Sequence, residues 1–536
     1  MKDLFTKLVL ALFLCASVWQ ISSVVPVQAE ELSINYAQAD QVDKTKVTEL
    51  IFPKEGNLFL MLAYIRNVPG EENKQEDYRH IHARNPLYQY QNLKRIKVEE
   101  GSTQFESRDG ILYSCSVEKG VKKSCIQCVP MNYEGVVHIS KDVSEIIDPA
   151  FDQCEKVTGF EVEEGNPYFY SKEGVLYEKG EDDRDKLVSY PAGKKDESFC
   201  LPADVGYLNV AAFAYNKYLK EITLHEDLLY ISYAAFERCT SLESVKNISD
   251  EMTCIGNCAF EGCEKLQMFD LPRGLEKIKG HAFEGIKPVE KIVFHKKCCW
   301  VILSGLKMAD DGIMEVEGPW LYIEEIPQYG NYIFKGYKET SLYKRMKKMS
   351  NVTCKPYKKS LYKHKTKKIK KGVKGKGKPS TSWYKKKKKV LYIKTPDQLA
   401  GMQKLCKKGI DFKGKKVVLK RNLDMSCYKS FEPIGFDRSQ YSQFSGIFDG
   451  NGKTIYNLSI HRYDYNYVGL FSALRGTVKD LQLKGTNVYG RRYVGGIAGN
   501  VLNGQIKDCK VSGTVKGYSH VNIVGMYFWD SNVEFN

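Results

Sequence analysis

Two cysteines and one histidine have spacings that suit metal or redox chemistry. Cys125 and Cys128 are separated by two residues, as in zinc-binding and thiol-redox sites. A zinc site needs a second pair of ligands, and no cysteine or histidine pair with that spacing follows nearby. His225-Glu226 begins a zinc-protease motif but lacks its second histidine. We therefore predict that Cys125 and Cys128 lie on a structural strand.

A glycine-rich stretch near residue 450 resembles a phosphate-binding loop. The pattern GxxxxGK[ST] aligns with residues 447–454, but Ile447 stands where the first glycine is required. Asn451-Gly452 instead predicts a tight turn between two strands. The nine histidines are scattered, and the sequence contains no nucleophile motif. The sequence therefore predicts no catalytic residue, no metal site and no cofactor, and we do not expect an enzyme.

The most regular part of the chain is a set of repeats between about residues 208 and 294. An Ala-Phe step recurs at intervals of 23, 24 and 23 residues, and a Leu or Val follows six residues after each Phe. Such periods are typical of leucine-rich solenoids, whose coils bury their apolar faces only by stacking. We predict a mainly β solenoid with one short strand per coil. Its predicted repeat core is Phe151, Phe213, Phe236, Phe260, Phe283, Leu219, Leu242 and Leu266.

These repeats resemble a known family. From Ile231 the sequence reads ISYAAFERCTSLESV, which fits the pattern I-x-x-x-A-F-x-x-C-x-x-L-x-x-[IV]. The pattern is similar to the BspA-like class of bacterial leucine-rich repeats. The resemblance implies a secreted or surface-attached protein that binds host or matrix ligands and has no catalytic centre.

A longer repeat, with an offset of 64 residues, precedes these coils. Asp109-Gly110 and Glu173-Gly174 occupy equivalent positions and predict two hairpins, at residues 105–113 and 169–177. Insertions on one side of a solenoid often form its binding face, although these hairpins could also be decoration. The candidate ligand contacts on the hairpins are Phe105, Tyr113, Phe169 and Tyr177.

The start of the chain has the features of a secretory signal peptide. Lys2 and Lys7 precede an apolar run that ends at Trp19, and small residues before Glu30 offer a cleavage site after Ala29. The apolar run is too short for a membrane-spanning helix. The sequence therefore predicts export to the medium or the cell surface, without a transmembrane segment after cleavage.

The predicted mature chain retains 15 of the 16 cysteines. Cysteine-rich exported proteins usually contain disulfides. Cys154, Cys239 and Cys263, however, each follow a repeat Phe by three residues, a position that predicts small apolar groups inside the solenoid. The sequence leaves both disulfides and free thiols open.

The net charge of +16 is concentrated in residues 355–390, which hold 17 lysines and no Asp or Glu. The rest of the chain therefore has a net charge of −1. This composition predicts a disordered linker, which could be a solvated spacer or could adhere to an anionic wall polymer. Because the charge is local, we do not expect the protein to bind nucleic acid.

A second set of repeats, rich in glycine, follows residue 391. Residues 493–499 read YVGGIAG, and residues 467–471, 26 positions earlier, read YVGLF. This stretch resembles the GLUG motif region of bacterial surface proteins, including the non-catalytic part of IgA-specific metallopeptidases. The glycines fit a partial right-handed parallel β-helix, in which the backbones of successive coils approach closely. The predicted structural glycines are Gly469, Gly495, Gly496 and Gly499.

These patterns divide the chain into five predicted segments. They are a signal peptide (1–29), an N-terminal cap region (30–92), a leucine-rich repeat domain (93–354), a disordered linker (355–390) and a GLUG-motif domain (391–536), which we expect to be truncated because its last residues have no repeat register. The expected function is non-catalytic adhesion, or binding of a host, matrix or glycan ligand, through the solenoid surface. Two alternatives stay open: a targeting arm of a larger surface peptidase, and a purely structural stalk.

Overall fold

The structure is a computed structural model of the chain. It describes residues 31–33, 44–52, 54, 87, 89–118, 120–148, 150–180, 184–298, 300–358, 369–435, 443–463 and 465–527. The predicted signal peptide, most of the predicted cap region and the last nine residues lie outside the described residues. The chain forms two compact units, one of residues 1–135 and 139–157 and the other of residues 136–138 and 158–536. This division falls inside the predicted repeat domain.

The first eight strands contain a parallel sheet and a hairpin sheet. Their bounds are β1 (Glu31–Ser33), β2 (Glu49–Phe52), β3 (Arg95–Val98), β4 (Phe105–Arg108), β5 (Ile111–Glu118), β6 (Val121–Cys128), β7 (Gly135–Ile139) and β8 (Val143–Ile146). β1, β2 and β3 pair in parallel. β4, β5 and β6 pair antiparallel, and β8 adds in parallel to β6. Leu50 and Phe52 of β2 are buried in one apolar core with Leu112 and Cys128.

The repeat array continues with short strands and one helix. Their bounds are β9 (Val157–Val162), β10 (Phe169–Lys172), β11 (Val175–Glu178), β12 (Asp185–Ser189), β13 (Ser198–Cys200), β14 (Val205–Leu208), β15 (Glu221–Thr223), β16 (Tyr230–Ile231), β17 (Ser244–Lys246), β18 (Cys254–Ile255), β19 (Lys277–Ile278), β20 (Val289–Phe294), β21 (Trp300–Val301), β22 (Met308–Val316), β23 (Tyr322–Ile323), β24 (Tyr332–Gly336), α1 (Ser341–Met346) and β25 (Val352–Pro356).

Both predicted hairpins form. β4 pairs antiparallel with β5, and β10 pairs antiparallel with β11. Asp109 (φ 50°) and Gly110 (φ 81°) occupy the first turn, and Glu173 (φ 54°) and Gly174 (φ 76°) occupy the second. Two successive residues with positive φ are the requirement of the tight hairpin turn that the sequence predicts.

Parallel pairing between equivalent strands runs along the array. One ladder contains β13, β15 and β17, a second contains β16, β18, β19, β21 and β23, and a third contains β20, β22, β24 and β25. In the second ladder each repeat contributes one inward residue with no exposed surface: Ile231, Ile255, Ile278, Val301 and Ile323. One short strand per repeat is therefore enough, because every strand is stabilised by its neighbours.

The repeat phenylalanines form a continuous stack inside the array. The ring centroids of Phe213 and Phe236 are 4.9 Å apart, those of Phe236 and Phe260 are 5.2 Å apart, and those of Phe260 and Phe283 are 5.6 Å apart. The interplanar angles of these pairs are 17°, 2° and 3°. Near-parallel rings at this spacing add to the free energy of burial.

The stack begins at Tyr190 rather than at Phe151. The ring of Tyr190 lies 5.2 Å from that of Phe213, at an angle of 24°. Phe151, which the sequence predicts for the core, is only partly buried. The hairpin insertion separates Phe151 from Phe213 in the sequence, and a tyrosine takes the position next to Phe213.

The repeat cysteines contact backbone carbonyls inside the array. Cys239 and Cys263 are buried, and their Sγ atoms lie 3.1 Å from the carbonyl oxygen of Phe213 and 3.0 Å from that of Phe236. Burial raises the pKa of the Cys239 thiol to about 12. Cys239 and Cys263 are both free thiols in the structure. The two repeat cysteines therefore act as small neutral side chains that link one repeat to the preceding one.

A short helix closes the array. The Thr340 side chain accepts a hydrogen bond from the backbone N–H of Tyr343, which caps the N-terminus of α1. Leu342, Tyr343 and Met346 are buried, and Phe334 of β24 packs against Tyr343 at 5.9 Å between ring centroids. The apolar face of this helix covers the last strands of the array.

The remaining strands belong to the glycine-rich repeats. Their bounds, with one further helix, are β26 (Val373–Lys374), β27 (Val390–Ile393), α2 (Pro396–Cys406), β28 (Lys416–Leu419), β29 (Leu423–Asp424), β30 (Ile447–Tyr456), β31 (Ser459–His461), β32 (Phe471–Leu474), β33 (Thr477–Tyr489), β34 (Arg492–Gly495), β35 (Ala498–Val501), β36 (Gln505–Lys507), β37 (Lys510–Lys516), β38 (Ser519–Asn522) and β39 (Gly525–Tyr527). All the pairings among these strands are parallel, and the longest path runs from β27 through β28, β30 and β33 to β37.

The predicted linker is not a free chain over its described C-terminal part. β26 pairs in parallel with β29, and Ile369 exchanges two backbone hydrogen bonds with the Asn457 side chain. The rings of Trp383 and Tyr384 lie 6.4 and 5.7 Å from that of Phe412. The prediction of disorder is therefore wrong for residues 369–390, because a few apolar side chains anchor this lysine-rich segment to the glycine-rich repeats. It is also wrong for residues 355–357, since Lys355 and Pro356 belong to β25 and the Tyr357 hydroxyl donates to Glu315. Residues 359–368 lie outside the described residues.

The Asn451-Gly452 pair bends a strand and does not form a hairpin. Both residues have positive φ, 50° and 66°, as the predicted turn requires. Strand β30, however, continues through them, and its parallel register with β33 shifts between Asp449 and Lys453. The pair is thus a bulge-like corner in one long strand, which redirects the chain without reversing it.

The predicted structural glycines lie where backbones touch. A Cβ atom on Gly499 would lie 2.1 Å from the carbonyl carbon of Tyr467, and one on Gly495 would lie 2.1 Å from the carbonyl oxygen of Ala498. On Gly469 and Gly496 it would meet backbone atoms at 2.8 and 2.5 Å. These positions have no room for a side chain. The obstructing backbone belongs to a neighbouring repeat at Gly469, Gly496 and Gly499, and to the same repeat at Gly495.

Removal of one ring from the phenylalanine stack should destabilise the array. We expect Phe236→Ala to cost about 3–5 kcal/mol, because a fully buried ring is replaced by a cavity. Scanning calorimetry of the full chain would measure this as a lower Tm of the array transition. Leu229→Ala is the control, since Leu229 is 47% exposed. Equal melting temperatures for both variants would contradict the stack.

Gly499→Ala should destabilise the glycine-rich repeats. Its new methyl group would overlap the Tyr467 backbone, which cannot move without breaking the parallel pairing. The matched control is Gly159→Ala, where the nearest atom to the new Cβ lies 3.7 Å away. Urea unfolding followed by circular dichroism should show a lower midpoint for Gly499→Ala than for Gly159→Ala. Indistinguishable midpoints would argue against this close approach.

Candidate functional site

The four predicted ligand contacts on the hairpins are buried. Phe105 is 5% exposed, Tyr113 1%, Phe169 3% and Tyr177 2%. Their rings lie in the core beneath the hairpins, where three consecutive residues of each second strand are buried: Ile111, Leu112 and Tyr113 of β5, and Val175, Leu176 and Tyr177 of β11. The prediction that they contact a ligand is therefore wrong, and the aromatic residues of these hairpins are structural.

The first hairpin instead carries a polar network around Arg108. The Arg108 guanidinium donates to both carboxylate oxygens of Asp142, at 2.9 and 2.7 Å, and to the Ser124 hydroxyl at 2.8 Å. It also pairs with Glu106 and lies 4.8 Å above the ring of Tyr113. This two-pronged arrangement is the strongest geometry for an arginine–carboxylate pair. The network fixes β4 and β6 to the residues before β8.

The charges of this network lower the pKa of the Asp142 carboxyl. Hydrogen bonding from Arg108 holds the pKa of Asp142 well below its usual range, with further hydrogen bonds from Ser124 and Ser140. Desolvation opposes this ionisation, but the arginine outweighs it. The Arg108 guanidinium and the carboxylates of Asp142 and Glu106 are paired with one another. We therefore interpret the network as structural and not as a binding site.

A better candidate for binding is the outward side of the second ladder. Tyr230, Cys254, Lys277, Trp300 and Tyr322 occupy the same register in five parallel strands. Tyr207 of β14 takes the same position in the preceding repeat and is 59% exposed. We call these six residues the outward row. From Tyr230 to Tyr322 it extends roughly 19 Å, because neighbouring strands lie about 4.8 Å apart.

Charged side chains flank the aromatic members of the outward row. The Lys279 ammonium lies 5.6 Å from the ring centroid of Tyr230. The indole N–H of Trp300 donates to the Glu324 carboxylate at 3.2 Å. The Arg491 guanidinium lies 5.7 Å from the ring centroid of Tyr322. Tyr, Trp and Arg are enriched at the contact surfaces of proteins, whereas Lys and Glu are depleted there.

A cleft of about 440 Å³ adjoins the end of the outward row. Glu324 lines it together with Ser304, Glu325, Tyr329 and Arg345. Arg345 of α1 donates to the carbonyl oxygens of Ile323 and Glu324, at 2.7 and 3.1 Å, and so holds one wall in place. Tyr329 is 65% exposed at the rim. Glu324 lines the cleft and accepts a hydrogen bond from Trp300, so the cleft lies next to the outward row.

Sequence reasoning missed the outward row. Each of its residues directly precedes a buried Leu, Ile or Val of the repeat, and consecutive strand residues face opposite sides. The residue directly before each buried Leu, Ile or Val of the repeat is therefore the sequence signal for the outward row. The predicted binding face lies on the hairpins, which belong to a different repeat and do not include this position.

The described residues do not form the zinc site that the spacing of Cys125 and Cys128 suggests. Cys125 and Cys128 lie on β6, as the strand prediction requires. Burial, with the Glu145 charge, raises the pKa of Cys125 to about 12. Among the described residues no group of three His, Cys, Asp or Glu side chains could hold a metal ion. Cys254 of the outward row also has a raised pKa, chiefly through desolvation.

Two family descriptions match parts of the chain. Residues 192–300 match six copies of the BspA type leucine-rich repeat region, and residues 490–516 match the GLUG motif. Both are families of typically non-catalytic repeats of surface proteins. No helix in the described parts of the chain is long and apolar enough to cross a membrane.

Individual relatives match less of the chain. Halomucin of Haloquadratum walsbyi is 37% identical over 82 residues, which are 15% of this chain and 1% of that protein. The pneumococcal vaccine antigen PcpA is 18% identical, with a TM-score of 0.35 over 60% of this chain and 65% of that one. A leucine-rich cell surface protein of Faecalibacterium prausnitzii is 17% identical, with a TM-score of 0.34 over 56% of this chain and 86% of that one. The chain therefore spans about 1% of the curated relative and just under two thirds of PcpA.

Because of the Arg108 network, the free energy of unfolding of the first unit should fall as the pH is lowered through the acid range. A carboxyl whose folded pKa is depressed stabilises the fold above its unfolded pKa of about 3.9, and this contribution is lost as the pH falls towards the folded pKa. We expect Asp142→Asn to lower the Tm at neutral pH. The difference from wild type should shrink below about pH 4, where the unfolded carboxyl is protonated. Melting curves across pH would test this, and a constant difference would contradict it.

Proposed function

Because this chain contains BspA-type leucine-rich repeats and a GLUG motif, we propose that it is an exported surface repeat protein that binds its ligand without catalysis. The ligand class is a host or matrix protein, or a glycan. We propose that the outward row is the contact surface. The observation that carries this proposal is the series of aromatic residues Tyr230, Trp300 and Tyr322 at one outward register of the second ladder.

The physical argument for the outward row is rigidity. Each outward side chain stands on a strand whose next residue is fully buried, so its position is fixed before a ligand arrives. Tyrosine and tryptophan offer large contact areas with few rotatable bonds, and they are enriched where binding energy is concentrated. A pre-organised aromatic surface loses little conformational entropy on binding.

We also propose a right-handed parallel β-helix for the glycine-rich repeats. Support comes from the parallel pairings that link β28, β30, β33 and β37, and from the glycines at which successive backbones meet. Such a fold would serve as a rigid extension of the array. The signal-peptide pattern predicted for residues 1–29 is the sequence observation on which the export in this proposal is based.

Binding assays on the full chain would test the role of the outward row. Immobilised mucin, fibronectin and isolated bacterial wall are the probes. We expect saturable binding to one of them, and a loss of about tenfold or more when Tyr230→Ala and Trp300→Ala are combined, because two anchors of about 1 kcal/mol or more are removed. Near-ultraviolet circular dichroism would check that the array stays folded.

Tyr218→Ala is the matched control, since this tyrosine is 41% exposed on another part of the same repeats. Its affinity should stay close to wild type. Saturable binding that both variants retain would remove the outward row from the proposal. Absence of saturable binding to every probe would favour the structural stalk, and an adjoining peptidase domain would favour a targeting arm.

A further inference from the structure

The lysine-rich segment of the structure is a fixed surface. Five consecutive lysines, residues 385–389, are exposed between the anchor formed by Trp383 and Tyr384 and the strand β27. On both sides the backbone is bonded to neighbours. The backbone N–H of Lys416 donates to the Lys389 carbonyl at 2.8 Å, and the indole of Trp383 donates to the Ser380 carbonyl at 2.9 Å. The lysines therefore project from an ordered turn.

One further lysine holds this turn in place. The Lys415 ammonium donates to the carbonyl oxygens of Lys386 and Lys388, at 2.7 and 3.0 Å. It also lies 5.6 Å from the ring centroid of Tyr384. The positively charged Lys415 thus fixes the backbone of a segment, Lys385–Lys389, that is itself positively charged. We call Lys385–Lys389 with Lys413 and Lys415 the lysine platform.

The surroundings of the platform do not neutralise it. Residues 369–422 hold nineteen Lys and Arg residues but only two carboxylates, Asp397 and Asp411. Asp397 accepts hydrogen bonds from the backbone N–H groups of Lys376 and Lys378 and from the Tyr428 hydroxyl. Asp411 accepts from the backbone N–H of Lys413. Within the described parts of the chain, none of the five consecutive lysines forms an ion pair.

A spacer would not need this arrangement. Like charges held together raise the electrostatic free energy of the free protein, and a flexible chain would relieve it by extending. Here apolar anchors and the Lys415 contacts keep the charges together. A bound chain of negative groups would lower that free energy, because each exposed ammonium group could pair with one of them.

The residue types indicate which polyanion fits. Only one of the nineteen basic residues is Arg, namely Arg421, whereas two-pronged recognition of phosphates favours arginine. Trp383 and Tyr384 pack against Phe412 and are partly buried, so less of their ring surface is open for stacking of nucleic-acid bases. We propose that the lysine platform binds a linear anionic polysaccharide through repeated contacts between ammonium and carboxylate groups. This site is separate from the outward row and does not depend on it.

The test uses the full chain, with polygalacturonate as the anionic polysaccharide and dextran as its neutral counterpart. We expect polygalacturonate alone to bind, with an affinity that falls as salt rises. Replacement of all five lysines, 385–389, by glutamine should weaken binding about tenfold or more, because five modest ion pairs are lost together. It should also flatten the salt dependence, by about one unit of slope for each contact removed.

The matched control removes five exposed lysines from the repeat array: Lys195, Lys265, Lys287, Lys291 and Lys296. It carries the same change in net charge and should keep its affinity within about twofold, as expected for distant surface changes. Equal losses in both variants would overturn the platform, since net charge alone would then explain binding. Tighter binding of duplex DNA than of polygalacturonate would overturn the choice of polysaccharide.

A second pair of variants separates a fixed platform from a flexible charge run. Lys415→Met removes the contacts that hold the turn, whereas Lys413→Met removes one neighbouring exposed charge. We expect Lys415→Met to weaken polygalacturonate binding several-fold more than Lys413→Met does. Equal effects would mean that the order of the turn plays no part in recognition.

Discussion

The contact between successive repeats is the interaction on which this structure depends. No single repeat encloses its own apolar side chains, and several of its strands are only two residues long. Phe236 is buried because Phe213 and Phe260 cover its two faces, and each of those rings relies on the next in the same way. The same logic extends to the glycine-rich repeats, where Phe444 and Phe471 pack at 5.0 Å. Stability is therefore a sum over neighbouring repeats.

Close stacking places a demand on the backbone as well as on the side chains. In each repeat the residue two positions before the stacked Phe has a positive φ, although it is never glycine: Ala211, Ala234, Cys258 and His281. Such conformations cost about 1–3 kcal/mol each unless the surroundings enforce them. Here they bring the backbone N–H groups of one Ala-Phe turn onto the carbonyls of the next, as between Phe236 and Ala259. The stacked turns thus compensate for the strained residues.

The sequence predicts the features that repeat and misses those that occur once. The 23-residue period is sufficient to identify the buried phenylalanines, because every coil solves the same packing problem. Composition alone suggested that residues 355–390 are disordered, since it counts lysines and gives little weight to Ile369, Trp383 and Tyr384. The partner of the latter two, Phe412, lies outside the segment, and no local rule connects them. The turn sequence predicts the hairpin but not which of its faces meets the core, so it does not reveal that Tyr113 is buried.

In the second ladder, the residues that stabilise the fold and the residues available for binding occupy different positions of each repeat. Inward positions of the second ladder stay Ile or Val, whereas the residues directly before them change from Tyr230 to Cys254, Lys277 and Trp300. The core therefore fixes the spacing of the outward residues without restricting their type, so new surface chemistry can arise at little cost in packing. The lysine platform also combines a fixed interior with a free choice of surface residue. Trp383 and Tyr384 pack on Phe412, and the lysines beside them are exposed. In both places the scaffold sets where a side chain stands, and the side chain alone determines what it can bind.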